Sequence, residues 1–305
     1  MYRRFLMALT LTLALILSAC GQSTGQTDST GSSPAASGAP AASGAAGGKA
    51  MEKAAEGTAL RAIQDRGKLI VGVKYDQPGF GFLNPTTNQV EGFDVEIARE
   101  IAKRIFGDPN AIEFKESISK NRIPYLNDGT VDMVVATMTA NEERAQQIDF
   151  SDTYYVAGQS LLVKKDSDIQ GIDSLKGKTV ATAKGSTSEK NITAKAPEAK
   201  IDLYDTYADG VQALLSGRAD AVTTDDIILY GFQTQNPDQL KVVGGQFTKE
   251  PYAIGVKKGN AELLEAINAT LRDIKQSGRW AEIYKQFIPE QNVPDVPPQD
   301  WREVK

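Results

Sequence analysis

The sequence predicts an α/β protein built on parallel sheets, and three observations carry that prediction. From about residue 60 onward, short β-rich runs alternate with amphipathic stretches of ten or more residues, the pattern of βαβ units. A helix-glycine-strand connection occurs twice, as LNDGTVDMVVAT (126–137) and LLSGRADAVTTD (214–225). The length of 305 residues, 41% of them hydrophobic, supports a sizeable core in about two domains once a tail is set aside. Ligands of such sheets bind beyond the carboxyl ends of the strands.

At the N-terminus, MYRRFLMALTLTLALILSACGQ places Arg3 and Arg4 before an apolar run too short to span a bilayer, followed by small residues and Cys20. Residues 1–19 read as a signal peptide, and LSAC resembles the lipobox of bacterial lipoproteins, in which Cys20 becomes the diacylated first residue. Residues 20–55 are rich in Gly, Ser and Ala and too poor in large apolar groups to offset ordering entropy, so they read as a flexible tether. A lipid at one end and a folded body at the other describes a protein held at a membrane surface.

Composition removes several chemistries. The chain has no histidine and one cysteine, which excludes Ser-His-Asp and Cys-His catalysis, histidine zinc sites and internal disulfides. No cofactor or metal is expected. The net charge of −5, without a basic block beyond the leader, argues against nucleic acid.

Within the body, KLIVGVKY reads as the first strand, VEIAREIAKRIF as a helix and VDMVVAT as the next strand; SLLVKK, TVATA, DAVTT and YAIGVKK read as later strands, with GVQALLSG as a helix. The two echoing connections share a glycine suited to a left-handed cap, Gly129 and Gly217, and an aspartate, Asp132 and Asp220. Their strands end on Thr137 and Asp225. After the first, Thr139 and Glu142 fit a capping box, so a helix is predicted to start near Ala140, with Arg144 about one turn in. A helix N-terminus with an arginine suits a carboxylate. In AKGSTSEK, a glycine turn opens another helix with Ser186, Thr187 and Ser188. Arg and Thr on one side and Ser, Thr and Asp225 on the other complement an α-amino acid.

At this point the residues resemble a family. GFDVEIAREIAKRI (92–105), LNDGTVDMVVATMTANEERAQQIDFSDTYY, GSTSEK, GRADAVTTDD and SGRWAEIYKQF, in this order from about 60 to 288, are similar to the extracellular solute-binding proteins of family 3, the amino-acid receptors of ABC importers. The resemblance implies a two-lobed, periplasmic-binding-protein-like fold of type II with two hinge crossings. Lobe 1 would comprise residues 56–157 and 250–290, lobe 2 residues 158–249, with a C-terminal tail at 291–305 and hinges near 155–160 and 246–252. It implies that Arg144 holds the ligand carboxylate beside Thr137 and Thr139, that Asp225 takes the ammonium, and that Ser186 and Thr187 supply lobe-two hydroxyls. Tyr252, at the end of the second crossing, joins this set. The implied partners are an amino acid, an ABC permease and its ATPase, and the membrane through the lipid; the protein is expected to be an extracytoplasmic monomer.

Lys74, at the end of the first strand, and Arg122 point to the side chain of the ligand. The aromatic that stacks on it in similar proteins aligns near Ser119, leaving Phe80 or Phe82 as a wall. Lys74, Arg122 and Arg144 against Asp225 match two carboxylates and one ammonium, so glutamate or aspartate is the expected ligand. An enzyme reading would need an acid from Glu142, Glu143 or Glu189, and SISK (117–120) as a Ser-x-x-Lys pair lacks its Lys-Thr-Gly partner. Binding without turnover is therefore expected, with a lyase of the same fold or a ligand sensor as alternatives.

Overall fold

The computed structural model describes residues 49–305; the leader, Cys20 and the tether up to residue 48 lie outside them. Along the chain come α1 (Ala59–Arg66), β1 (Leu69–Val73), β2 (Asp76–Gln77), β3 (Gly81–Leu83), β4 (Val90–Glu91), α2 (Phe93–Phe106) and β5 (Ile112–Glu116). Then follow α3 (Arg122–Asn127), β6 (Met133–Val134), α4 (Glu142–Ala145) and the long β7 (Ile148–Ala157). The second half has β8 (Gln159–Lys164), β9 (Thr179–Ala183), α5 (Thr187–Lys195), β10 (Lys200–Tyr204), α6 (Tyr207–Leu215), β11 (Ala221–Asp225), α7 (Asp226–Gln235) and β12 (Leu240–Val243). It closes with β13 (Glu250–Lys257), α8 (Ala261–Gln276) and α9 (Arg279–Phe287).

The strands form two five-stranded sheets of matching order, β5-β1-β6-β13-β7 and β10-β9-β11-β8-β12, beside a small β2-β3-β4 meander. In each sheet three strands are parallel, and the remaining two pair antiparallel. The sheets are therefore mixed rather than purely parallel. Helical crossovers make the parallel part; strands β7 and β8, and β12 and β13, instead pass from one sheet to the other without an intervening helix, and each returns antiparallel.

The repeated connection has the same structure in both sheets. Asp132 Oδ2 accepts from the Ile70 N–H at 2.7 Å, and Asp220 Oδ2 accepts from the Thr179 N–H at 2.7 Å. Each aspartate thus satisfies an N–H at the start of the neighbouring parallel strand, which would otherwise lack a ladder partner. Gly129 and Gly217 both sit at φ +78°, the left-handed turn that closes the preceding helix.

Three sides of α2 fix it. Its apolar face (Val95, Ala98, Ile101, Ala102, Ile105) is buried, and it packs on α8 and α9. Gly92 precedes it at φ +133°, where a Cβ would lie 2.1 Å from the Phe80 carbonyl oxygen, so the meander can approach only a glycine. Phe80, Phe93, Tyr154, Tyr155, Tyr252 and Trp280 form an aromatic cluster of edge-to-face and tilted pairs. The two crossings run side by side: the Gln159 N–H donates to Thr248 Oγ1 at 3.0 Å, and the Phe247 N–H to the Gln159 carbonyl at 2.9 Å.

Candidate functional site

The carboxyl ends of β1, β6 and β11 meet the start of β13 in one buried space. Lys74 directly follows β1 and is 1% exposed; its Nζ donates to Ser119 Oγ at 3.0 Å and lies 5.8 Å from the Tyr207 ring centre. Burial brings its pKa down to about 8. Ser119, where an aromatic would otherwise stand, is thus the acceptor for this ammonium. Phe80 backs Tyr252 from within the aromatic cluster, and Phe82 lines a separate cavity, so neither forms a wall of this space.

Arg122 opens α3 and is buried, but its guanidinium is turned to the main chain. Nη1 donates to the Ala136 and Thr137 carbonyls at 3.0 and 3.3 Å, and Nε to the Ser119 carbonyl at 3.3 Å. Burial holds its pKa below the ordinary value, opposed by the Tyr207 hydroxyl and the Asp225 carboxylate nearby. Thr137 follows β6 with φ +45°, and its hydroxyl lies 2.9 Å from Gln77 Oε1.

Thr139 does not cap α4. Asn141 does, its Oδ1 accepting from the Arg144 N–H at 2.9 Å, and α4 is a single turn of four residues. Thr139 is instead bridged to Tyr252, which draws the chain into the sheet and delays the helix by two residues. The single turn still aims Arg144 inward: Nη1 donates to the Thr139 carbonyl at 2.7 Å, and Nη2 to the Gly185 carbonyl at 3.3 Å. Burial, reinforced by the like charge of Arg122, brings its pKa down to about 9.

From the second sheet, Ser186 serves as the cap of α5. Its hydroxyl accepts from the Glu189 N–H at 3.1 Å and lies 2.6 Å from the Ala183 carbonyl, leaving it little capacity for anything else. Thr187 is the junction between the sheets: its Oγ1 is 3.4 Å from Thr139 Oγ1, donates to Glu250 Oε2 at 2.9 Å and accepts from Gln159 Nε2 at 3.3 Å. Asp225, at the tip of β11, accepts from the Tyr252 hydroxyl through Oδ2 at 2.5 Å, while its buried Oδ1 has no partner among the described residues. Burial, with the Glu250 carboxylate nearby, pushes its pKa well above the usual range.

The structure therefore brings Lys74, Arg122, Thr137, Thr139, Arg144, Thr187, Asp225 and Tyr252 together, and turns Ser186 to its helix. Residues that sequence reasoning missed complete the space: Gln77, Gln159, Tyr207 and Glu250. Gln77 Nε2 and Gln159 Oε1 are buried without partners among the described residues. The available signal was a polar residue at the edge of an apolar run, as in AGQSLLV and KEPYAIGV, where burial demands a partner. Cavities of about 500 and 360 Å³ flank the Thr139–Thr187 contact and Arg144. A third of about 380 Å³, between Tyr230 and Phe287, contains none of these residues.

Other sequence candidates point elsewhere. Glu142 pairs with Arg302 and Glu143 with Lys190, and Glu189 Oε2 accepts from the Gly185 N–H at 2.8 Å. Ser117 is buried beside Gly72, while Lys120 pairs with Asp205 at 2.7 Å, so the two do not form a nucleophile and base. Among the described residues no helix is long and apolar enough to cross a membrane, and no cluster of metal-ligating side chains occurs.

Known proteins give this geometry its context. The chain is 49% identical over 244 residues to the ABC transporter glutamine-binding protein of Bacillus subtilis (strain 168), an alignment covering 80% of this chain and 89% of that one. It is 50% identical over 225 residues to the glutamine-binding protein of Geobacillus stearothermophilus, covering 73% and 86%. Among solved structures, an ancestral arginine-binding protein bound to glutamine superimposes with a TM-score of 0.68 at 41% identity, covering 73% of this chain and 98% of that one. The family profile of the bacterial extracellular solute-binding proteins, family 3, matches residues 69–290. With two sheets as two lobes, two strand crossings between them and a polar space at their junction, this chain belongs to the bacterial extracellular solute-binding proteins of family 3.

Proposed function

We propose that this protein is the substrate-binding component of an ABC importer and that it captures glutamine between its lobes. The observation that carries the reading is a buried Arg144 and a buried, half-satisfied Asp225 close enough for the carboxylate to act on the guanidinium. Arg144 would hold the α-carboxylate with the Thr139 hydroxyl, and Asp225, oriented by Tyr252, would take the ammonium through its unpartnered oxygen. Thr187 supplies a further hydroxyl from lobe 2.

The side-chain argument changes once Arg122 is seen bonded to three main-chain carbonyls. Its charge remains, but three of its N–H donors are engaged by the main chain, so Lys74 is the cation better placed to face a ligand side chain. Its depressed pKa makes the charge cheap to lose, so a neutral ligand no longer strands an obligatory cation. Gln77 Nε2 is a donor and Gln159 Oε1 an acceptor, complementary to a carboxamide, whereas a carboxylate has no donor to offer. The two relatives near 50% identity are named for glutamine, which supports the same choice. Glutamate is the second reading, favoured by the buried ammonium of Lys74 alone.

Membership of an extracellular family supports an extracytoplasmic location, and the leader with LSAC supports a tether through a lipid on Cys20. The tethered protein is proposed to act as a monomer that passes its ligand to a permease and ATPase. The carboxylates that a lyase would recruit at α4 and α5 are each engaged in a structural contact, which favours binding over turnover. Calorimetric titration of the purified protein, freed of carried-over ligand by unfolding and refolding, tests the reading against glutamine, glutamate, aspartate, asparagine and arginine. Tightest binding of glutamine is expected. Preference for glutamate would restore Lys74 as a charge partner, and absence of binding to all five would overturn the receptor reading.

A further inference from the structure

Thr137 is one of two non-glycine residues among those described with positive φ, and the other, Asn88, sits in the exposed turn between β3 and β4. A β-branched residue is disfavoured in that region, so something must hold it there. The hydrogen bonds around it show what does. Asp94, in the first turn of α2 and 0% exposed, accepts from the Thr137 N–H through Oδ2 at 2.9 Å. Its Oδ1 accepts from the Tyr154 hydroxyl at 2.9 Å, which fixes the carboxylate in turn. On the other side of the same peptide units, Arg122 Nη1 takes the Ala136 and Thr137 carbonyls.

We infer that Asp94 is a positioning residue for ligand binding: with Arg122 it clamps Thr137 in its left-handed turn, and that turn sets where Thr139 and Arg144 enter the cleft. The chain leaves β6 at Val134 and must reverse within a few residues to reach the Thr139–Tyr252 bridge and the single turn that carries Arg144. A relaxed Thr137 would move both groups together. Asp94 makes no ion pair among the described residues, so its two hydrogen bonds are its role. Burial pushes its pKa up to about 7, against the lowering effect of the Tyr154 and Thr137 hydrogen bonds.

The inference rests on amino-acid binding at this cleft, and a double-mutant cycle read with L-glutamine on the full chain tests it. Asp94→Ala is expected to weaken binding at least tenfold in the wild-type background but less than threefold in the Thr137→Gly background, where positive φ is reached without strain. Asp94→Asn, which keeps an acceptor for the Thr137 N–H, is expected to stay within threefold of wild type. Equal losses for Asp94→Ala in both backgrounds would overturn the clamp and leave Asp94 a core residue only. Hydrogen exchange at the Thr137 amide of the ligand-free protein gives a readout independent of the ligand and of whether Asp94→Ala folds. Strong protection in wild type is expected, and exchange at the rate of an open amide would overturn the inference even if glutamine binds. Failure of wild type to bind glutamine, with Thr137 protected, would instead overturn the ligand assignment and leave the clamp standing.

Discussion

At the scale of single residues, the cleft is a set of buried charges whose preferences pull in different directions. Lys74 decides between the two ligand readings because its pKa, about 8 in the folded chain against an ordinary 10.5, falls in an accessible range. The sign follows from linkage. Between those values the unfolded chain binds a proton that the folded one does not, so this group makes the ligand-free protein more stable as pH rises through the window. For binding the effect depends on the ligand: a side-chain carboxylate needs the ammonium charged, whereas a carboxamide loses much less when the amine is neutral. The ratio of the glutamate to the glutamine dissociation constant cancels the titration of the shared α-ammonium. That ratio is expected to rise about fivefold or more from pH 7 to pH 9, and Lys74→Met should flatten it. Calorimetry at three pH values checks this, and a constant ratio in wild type would remove Lys74 from contact with the side chain. The positions of Lys74 and Asp225 were legible in the sequence because strand ends can be located by pattern, whereas Arg144 was reached through the family resemblance and a capping box whose cap Asn141 supplies in place of Thr139. The direction of Arg122 was not, because which acceptor a guanidinium finds depends on a turn at Thr137 that no propensity predicts for a threonine.

At the scale of elements, the sequence showed the strands that are buried on both faces and missed those at the edges. LIVGV and AVTTD are continuous runs, and both are central strands. IEFKE and KIDLY alternate polar and apolar residues, lie at sheet edges and were not distinguished from loops. The meander β2-β3-β4 was equally hidden, since its strands have only two or three residues. One contact of that meander joins the lobes. Gly231, inside α7, faces the Pro78 carbonyl so closely that a Cβ there would lie 2.5 Å from the oxygen. Alanine at this helical position should favour α7 by up to about 1 kcal/mol through propensity, yet it cannot coexist with the close approach of the lobes. Gly231→Ala is therefore expected to weaken ligand binding about tenfold or more while leaving the unfolding temperature of the ligand-free protein unchanged or slightly raised. Titration and a thermal melt of the same sample read both effects; full affinity would show that the bound form does not bring α7 against Pro78.

At the scale of the whole molecule, few direct bonds outside the cleft hold the lobes together, and most of them are weak. Lys120–Asp205 and Glu143–Lys190 are exposed ion pairs, screened by solvent. The stronger link is Asp76, whose Oδ2 accepts from the Tyr207 N–H at 2.9 Å and the Ala208 N–H at 3.4 Å, so that a carboxylate of lobe 1 caps the first turn of α6 in lobe 2. Against these stands the cost of enclosing Arg144 and Asp225, which would be several kcal/mol for charges that lack partners. Under the proposed function, a zwitterion placed between them would remove that cost, and closure would be coupled to occupancy without a separate trigger. Weakening the cap should then act on the lifetime of the closed state. Asp76→Ala is expected to speed glutamine dissociation about tenfold with little change in association, because the cap forms after the ligand has entered. Stopped-flow displacement measures both rates, and small-angle scattering should show the variant compacting at saturating glutamine as wild type does. Equal dissociation rates in the two proteins would mean that the lobes are held by the ligand alone and that the Asp76 contact contributes nothing to retention.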